Sequence, residues 1–172
     1  MSAPQIHQRP SPHHRARGAA RTSVVVLHAD ASRDVAATLS WLADPASKVS
    51  YHFVVGRTGQ IYQCVPLWRA AYHAGVSEHP GATVGSSVNN ASVGLCFSNA
   101  QDGREPFTES ALHAGARLVA HIARECPGVV VDGVVQMTTH EACARPKGRK
   151  RDPGPLFDMA RFAALVREAM QR

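Results

Sequence analysis

Short apolar segments separated by amphipathic stretches run through this 172-residue chain. Residues 23–28 (SVVVLH) form a continuous, mostly β-branched run, which is typical of a strand buried on both faces. Residues 49–55 (VSYHFVV) alternate between two faces, and with the following GRTGQ and IYQCV they predict a β-hairpin over residues 49–65. Two further strands are predicted at residues 92–97 (SVGLCF) and within residues 129–139.

Three stretches with apolar residues at helical spacing predict helices. The clearest begins after Thr108, an expected N-cap, and ends near Cys126. The others lie between the first strand and Pro45 and over residues 158–171. Because strands and helices alternate, we predict an α/β fold with a central mixed β-sheet flanked by helices on both faces. A chain of this length with 44% hydrophobic residues is expected to form one domain with one core.

The first 21 residues concentrate positive charge. The formal net charge of the chain is +6, and this part contains no Asp or Glu. Its prolines oppose regular structure, so we expect a basic, flexible N-terminal arm over residues 1–21 and a domain over residues 22–172. The arm is expected either to be solvated or to contact an anionic cell-wall polymer, a lipid headgroup or nucleic acid. Its basic residues are Arg9, Arg15, Arg17 and Arg21.

Several familiar sequence features are missing. No apolar run approaches the roughly 18 residues of a membrane span, and the N-terminus lacks the apolar stretch of about 7–15 residues found in secretory signals. We therefore expect a protein made in the cytoplasm without a signal peptide. The four cysteines are widely spaced without a CxxC pair, so they are expected to be small buried hydrophobic residues.

Candidate chemistry lies at two strand ends and in a proline-containing loop. His28 ends the first strand, His140 follows the last one, and Asp152 precedes Pro153 in the sequence RKRDPGP. Two histidines and a carboxylate can form a catalytic zinc site with an open position for water, and ligand sites favour the carboxyl ends of sheet strands. The spacing alone leaves this site balanced against ordinary structural histidines, since the chain has ten. Alternate residues of an extended segment point the same way, so Lys150 and Asp152 can share one pocket.

These residues resemble a known family. The chain contains, in order, VVVLH, VSYHFVVGRTGQIYQCVP, AYHAGVS, NNASVGLCF, TTHEACARP and GRKRDPGPLFD. They resemble zinc-dependent N-acetylmuramoyl-L-alanine amidases of the peptidoglycan-recognition-protein fold, which include phage endolysins and bacterial cell-wall amidases. The resemblance runs from about residue 24 to residue 166. It implies one zinc ion, with His28, His140 and Asp152 as its ligands.

The resemblance also implies catalytic roles for Tyr51 and Lys150, the residue types that phage-type members use. Amide hydrolysis needs a nucleophile near neutral pH, and zinc provides it by lowering the pKa of water to about 7. The Lys150 ammonium would then stabilise the developing oxyanion. Tyr51 is expected to position the reacting groups first and transfer protons second, because a phenol with a pKa near 10 is a poor base. Without the resemblance, Lys150 would be interpreted as a surface cation.

Three further positions match the family. His73 and Asn89 resemble substrate-lining residues, although a solvent-exposed loop histidine and a turn asparagine are alternatives. Cys96 stands where cell-wall-recycling members carry a glutamate that serves as general base, whereas phage-type members also have cysteine there. Cys96 is therefore a secondary candidate, and the identity of the general base stays open.

The segment between His140 and Asp152 departs from the family pattern. It is two residues longer than in the recycling enzymes. The added length falls in the loop CARPKG. Glu141 and Cys143 are therefore competing ligand candidates, and Asp152 is the preferred one.

The expected function is hydrolysis of the amide bond between N-acetylmuramic acid and L-alanine in peptidoglycan. Cys96, Tyr51 and Lys150 favour an endolysin, a monomer that reaches the wall after holin-dependent release and has no nucleic-acid partner. The alternatives are a non-catalytic peptidoglycan-binding homologue, a protein-binding homologue that regulates a polymerase, and a cytoplasmic muropeptide-recycling amidase. Retention of all three ligand residues disfavours a purely binding role.

Overall fold

The computed structural model describes residues 3–80 and 87–172. The strands are β1 (Ile6–Gln8), β2 (His14–Ala16), β3 (Val24–Ala29), β4 (Phe53–Val55), β5 (Ile61–Gln63), β6 (Arg69–Ala71), β7 (Ser92–Phe97), β8 (Val130–Val131), β9 (Val134–Val135) and β10 (Met137–Thr139). The helices are α1 (Val35–Ala43), α2 (Val88–Ala91), α3 (Glu109–Glu125), α4 (His140–Cys143) and α5 (Met159–Gln171), with a short 3-10 helix at Pro127–Val129.

A six-stranded mixed sheet forms the centre of the molecule, with the strand order β1-β5-β4-β7-β3-β10. Strands β4 and β5 pair antiparallel as the predicted hairpin, and the other neighbours in the sheet are parallel. Strands β3 and β7 are buried along their whole length, as the continuous apolar runs predicted. The mixed sheet of the predicted α/β fold is therefore confirmed.

Helices cover both faces of this sheet. On one face, α3 and α5 pack over a large core in which Phe97, Phe157 and Phe162 contact one another through their rings. On the other face, Leu42 of α1 packs against Cys96 of β7, while α2 and α4 cover the neighbouring part of β3. The two-sided coverage explains why the central strands are apolar on both faces.

The register of the parallel strands brings distant parts of the chain to one edge of the sheet. Thr139 at the end of β10 pairs with Leu27 of β3, so His140 and His28 follow at the same level. The Thr139 hydroxyl accepts a hydrogen bond from the Ala142 N–H and caps α4, which begins with His140. The carboxyl ends of these two strands therefore form the floor of a candidate site.

The N-terminal arm is folded onto the domain, which differs from the expectation of a flexible segment. Strand β1 adds to the sheet edge beside β5, and β2 pairs with β6. Ser11, His13 and Arg17 are buried. The Arg17 guanidinium donates hydrogen bonds to main-chain carbonyls of Leu67, Asn90 and Ser92, among others. One of the basic side chains of the arm is thus buried in the domain, and the domain begins before residue 22.

Other differences are local. The segment at residues 66–90, which shows little periodicity, contains β6 and the start of α2, and its residues 81–86 lie outside the described part of the chain. The strand region predicted over 129–139 divides into β8, β9 and β10, because Asp132 and Gly133 make a tight turn with positive φ angles. Cys64, Cys96 and Cys143 are buried free thiols, as predicted, whereas the fourth cysteine, Cys126, is a free thiol that is only partly buried. Within the described ranges, no helix is long and apolar enough to cross a membrane.

Removal of residues 1–17 tests the folded arm. We expect the free energy of unfolding to fall by several kcal/mol, because each buried carbonyl that loses its partner costs about 1–3 kcal/mol. Urea unfolding followed by circular dichroism measures the change. Removal of residues 1–4 alone is the control and should leave the midpoint unchanged. An unchanged urea midpoint for the longer truncation would contradict the folded arm and support the flexible arm that the sequence predicts.

Candidate metal centre

His28, His140 and Asp152 come together at the carboxyl ends of β3 and β10. Asp152 Oδ2 lies 2.9 Å from His28 Nδ1 and 3.0 Å from His140 Nδ1. One potential ligand atom from each residue lies within 4.8 Å of the others, and all three residues are buried. The chain thus brings two imidazole nitrogens and one carboxylate oxygen to a single point.

The orientation of His140 is fixed by the main chain. Its Nε2 lies 3.1 Å from the carbonyl oxygen of Ala74. A carbonyl oxygen only accepts hydrogen bonds, so Nε2 carries a proton and a neutral His140 ring has its lone pair on Nδ1. That lone pair faces the Asp152 carboxylate. Two acceptors at this distance repel one another unless a cation or a proton lies between them.

The charge state of the cluster follows from burial. Burial lowers the pKa of His28 to about 4, although its contact with the Asp152 carboxylate opposes this shift. Burial alone would raise the pKa of Asp152, but its contacts with the His140 and His28 rings outweigh burial and hold that pKa well below its ordinary value. At neutral pH the cluster therefore contains a neutral His28 ring and a carboxylate anion.

These residues fit a divalent metal ion such as zinc. Two histidines and one carboxylate are a known catalytic zinc ligand set that leaves a position open. The carbonyl behind His140 supplies the second hydrogen bond that metal-ligating histidines normally make. The competing candidates have other contacts: Glu141 is exposed, and the Cys143 thiol donates to the carbonyl oxygen of His140. Among the described residues, the group of side chains that could hold a metal ion consists of His28, His140 and Asp152.

A cavity of about 550 Å³ opens beside the cluster. Tyr51, His140, Lys150 and Asp152 line it, so the segment RKRDPGP does place Lys150 and Asp152 on one cavity. Lys150 itself is exposed. Arg149 holds the segment in place by donating hydrogen bonds to two carbonyls of the loop at residues 74–76. The cavity therefore combines a buried cluster that contains a carboxylate with an exposed lysine at its wall.

Tyr51 lines the cavity and packs against the core cluster that contains Cys96. The Tyr51 ring lies 5.0 Å from the His28 ring, and its hydroxyl is near enough to the Cys96 thiol for each group to shift the pKa of the other. Burial raises the pKa of both side chains well above their ordinary values. Both groups therefore stay protonated at neutral pH. Cys96 is poorly suited to act as general base, and Tyr51 is better suited to donate a hydrogen bond than to accept a proton.

His73 lines the cavity, where a substrate-lining residue is expected, and Asn89 lies behind it. His73 borders the cavity but is buried, with Nδ1 3.0 Å from His28 Nε2 and Nε2 3.1 Å from Ser92 Oγ. The side-chain oxygen of Asn89 accepts hydrogen bonds from the N–H groups of His73 and Ala74. His73 therefore borders the cavity while both of its ring nitrogens contact protein groups, and Asn89 contacts the main chain behind the cluster.

Sequence reasoning missed some of the supporting contacts. The Ala74 carbonyl is a main-chain group in a loop without periodicity, so no residue type signals it. Ser92 was interpreted only as the first residue of a strand, and Arg17 only as part of a basic arm. The polar residue at the start of an otherwise apolar strand was the one available signal for Ser92, since a buried hydroxyl needs a partner.

Comparison with known proteins identifies the family. A family model of N-acetylmuramoyl-L-alanine amidases matches residues 18–155, a range that contains all three residues of the cluster. The chain belongs to this family. The cavity and its buried polar cluster therefore lie in the part of the chain that members of the N-acetylmuramoyl-L-alanine amidase family share.

Individual amidases are similar to this chain in sequence and in structure. The 1,6-anhydro-N-acetylmuramyl-L-alanine amidase AmpD of Escherichia coli (strain K12) is 34% identical over 119 residues, which are 69% of this chain and 59% of that protein. The chain thus spans about three-fifths of the length of the curated relatives it matches. A Se-Met derivative of AmpD superposes with a TM-score of 0.73 at 26% identity, covering 96% of both chains. AmiD from E. coli, in complex with the substrate anhydro-N-acetylmuramic acid-L-Ala-D-gamma-Glu-L-Lys, superposes with a TM-score of 0.69 at 27% identity over 86% of this chain and 59% of that one.

Acid should unfold the metal-free protein. Burial lowers the pKa of His28 to about 4, that of His52 to about 3 and that of His73 well below 6.5. The unfolded chain therefore binds more protons below about pH 6.5, so stability is full above that pH and falls as the pH drops toward 4. With three such histidines, the change in the free energy of unfolding with pH approaches about 4 kcal/mol per pH unit, since each proton contributes about 1.4 kcal/mol per pH unit.

Urea unfolding of chelator-treated protein at a series of pH values measures this slope. His52→Gln should reduce it by about 1.4 kcal/mol per pH unit, because one fewer buried ring is protonated on unfolding. His113→Gln is the matched control, since His113 is exposed on α3, and should leave the slope unchanged. Equal slopes for wild type and His52→Gln would contradict the buried neutral histidine.

Proposed function

We propose that the protein is a zinc-dependent amidase that hydrolyses the bond between the lactyl group of N-acetylmuramic acid and L-alanine. The observation that carries this proposal is the convergence of His28, His140 and Asp152 on one point beside an open cavity. Membership of the N-acetylmuramoyl-L-alanine amidase family supplies the reaction class. The retained cluster favours catalysis over a purely binding role.

His28 and His140, through Nδ1, and Asp152, through its carboxylate, would hold the ion. A zinc ion bound there supplies a nucleophile near neutral pH and polarises the scissile carbonyl. The protein residues then have separate tasks. The carbonyl of Ala74 keeps His140 in the required orientation, burial keeps His28 neutral, and the neighbouring His28 and His140 rings keep Asp152 ionised.

Lys150 and Tyr51 are the proposed catalytic residues at the cavity wall. Attack on the amide places negative charge on the carbonyl oxygen, and the Lys150 ammonium lies on the same cavity where it can stabilise that charge. Tyr51 stays protonated, so its hydroxyl can leave Cys96 and donate a hydrogen bond to the reacting oxygen. The proton that the leaving L-alanine amine requires has no assigned side-chain donor.

The substrate can be either intact wall or a soluble fragment. The names of the curated relatives specify a 1,6-anhydro-N-acetylmuramyl substrate, and AmiD was solved with an anhydro-muropeptide. These names support a cytoplasmic muropeptide-recycling amidase. The endolysin alternative rests on the combination of Tyr51, Cys96 and Lys150 and on the resemblance to phage-type members. The two settings differ in the substrate that is cut faster.

A product assay tests the function. Purified protein loaded with zinc should release free L-alanine amino termini from peptidoglycan and separate anhydro-N-acetylmuramic acid from peptide in a soluble muropeptide, as measured by mass spectrometry. Faster cleavage of the soluble fragment would favour recycling, and faster solubilisation of sacculi would favour the endolysin. Release of reducing sugars without new amino termini would contradict the amidase proposal.

Variants of the three proposed ligands connect the metal to that activity. Each of His28→Ala, His140→Ala and Asp152→Ala should lose both bound zinc and product formation, since each removes a ligand. Glu141→Ala is the matched control because Glu141 is the exposed neighbour of His140 and should retain both. Zinc content comes from elemental analysis of the dialysed proteins. Full activity in a variant that retains no zinc would contradict the role of the metal.

Lys150→Ala separates catalysis from metal binding. We expect zinc content to remain and the rate to fall by roughly 10²–10³-fold, the typical loss for one oxyanion-stabilising donor. Lys147→Ala is a matched control, because Lys147 is an exposed lysine of the same loop, and should retain the wild-type rate. An unchanged rate for Lys150→Ala would remove Lys150 from the mechanism.

A further inference from the structure

A line of buried hydrogen bonds leads away from His28 on the side opposite to Asp152. His28 Nε2 lies 3.0 Å from His73 Nδ1, and His73 Nε2 lies 3.1 Å from Ser92 Oγ. The Ser92 hydroxyl in turn lies 2.5 Å from the carbonyl oxygen of Val88. His28, His73 and Ser92 are all buried, so solvent does not compete for these contacts.

The shortest contact in this line, from Ser92 Oγ to the Val88 carbonyl oxygen at 2.5 Å, sets the direction of its bonds, against the pull of the Asp152 carboxylate at the other end. The Val88 carbonyl only accepts, so the single Ser92 hydroxyl proton points to it. Ser92 Oγ must then accept from His73, which places the His73 proton on Nε2 and leaves a lone pair on Nδ1. That lone pair accepts from His28, whose proton therefore lies on Nε2. His28 Nδ1 is left with a lone pair directed at Asp152.

The N-terminal arm holds the far end of this line. Arg17 Nη1 donates to the carbonyls of Asn90 and Ser92, both at 2.8 Å, and thereby fixes the junction between α2 and β7 that carries Ser92. Burial lowers the pKa of Arg17 to about 10, so it stays charged at neutral pH. Residue 17 lies just before the segment that the family model matches, residues 18–155.

Glycine makes room for the middle of the line. A Cβ atom at Gly94 of β7 would lie 2.6 Å from Cγ of His73, closer than such atoms approach in proteins. The His73 ring therefore packs directly on the β7 main chain, where it cannot rotate away from Ser92 and His28. Asn89 fixes the same residue from its main-chain side by accepting the His73 N–H.

We propose that Arg17, Ser92 and His73 are positioning residues that hold His28 as its Nε2–H tautomer and so present Nδ1 to the metal ion. The proposal rests on the metal site of the proposed function but assigns new residues to it. Loss of Ser92 Oγ removes the acceptor for His73 Nε2–H. His73 then prefers a proton on Nδ1, and His28 must move its own proton to Nδ1, where it blocks the ligand position.

The first test reads the tautomers directly. Long-range ¹H–¹⁵N spectra of the metal-free, ¹⁵N-labelled full chain at neutral pH distinguish protonated from unprotonated ring nitrogens. We expect His28 and His73 both to be protonated on Nε2 in the wild-type protein. In Ser92→Ala, His28 should shift toward the Nδ1–H form. A wild-type spectrum with His28 protonated on Nδ1 would overturn the proposal even if every variant failed to fold.

The second test measures zinc affinity by competition with a chromogenic chelator. Ser92→Ala should bind zinc about 10- to 100-fold more weakly, the usual effect of removing an outer partner of a ligating histidine. Ser11→Ala is the matched control, because Ser11 is also a buried serine whose hydroxyl donates to a main-chain carbonyl. It should lose stability without losing zinc affinity.

Arg17→Lys keeps the positive charge, but a lysine cannot donate to several carbonyls at once, so the zinc affinity of this variant should also fall. Arg9→Lys is its control, because Arg9 is an exposed residue of the same arm, and should leave the zinc affinity unchanged. Unchanged zinc affinity in Ser92→Ala together with a lower melting temperature would show a merely structural serine and overturn the proposal. An inactive wild type with the expected tautomers and Ser92-dependent zinc binding would refute the amidase reaction alone.

Discussion

The rest of the site depends on one electrostatic constraint: a carboxylate oxygen lies about 3 Å from two imidazole nitrogens. Asp152 Oδ2 is 2.9 Å from His28 Nδ1 and 3.0 Å from His140 Nδ1, inside a buried pocket. Lone pairs held this close in a medium of low dielectric need a positive charge between them. The Ala74 carbonyl takes the Nε2 proton of His140, so the proposed divalent cation would lie against the lone pair on Nδ1.

The fold assembles this constraint from distant segments. His28 and Asp152 are 124 residues apart, and the parallel pairing of β3 with β10 brings the two histidines to the same sheet edge. The loop after α4 then returns Asp152 to that edge, where the Glu141 N–H donates to the main-chain oxygen of Asp152. Because the strands beneath are buried on both faces, the cluster is held by a rigid support.

Sequence patterns predicted the parts of the molecule that depend on local physics. The apolar runs at β3 and β7, the stripe of α3 and the ends of both histidine-bearing strands follow from burial and periodicity. The arm was predicted wrongly because its proline and charge content suggests disorder, whereas the charged Arg17 side chain donates hydrogen bonds to main-chain carbonyls from elsewhere in the chain. The contacts of His73 could not be predicted, because no local pattern shows that both of its ring nitrogens contact protein groups.

Zinc K-edge X-ray absorption on the wild-type protein tests the three-residue cluster most directly. The geometry predicts a first shell of nitrogen and oxygen atoms only, at about 2.0–2.2 Å, with the outer scattering of two imidazole rings. A zinc–sulfur distance of about 2.3 Å would contradict it, because a cysteine such as Cys143 would then replace Asp152 or one of the histidines as a ligand.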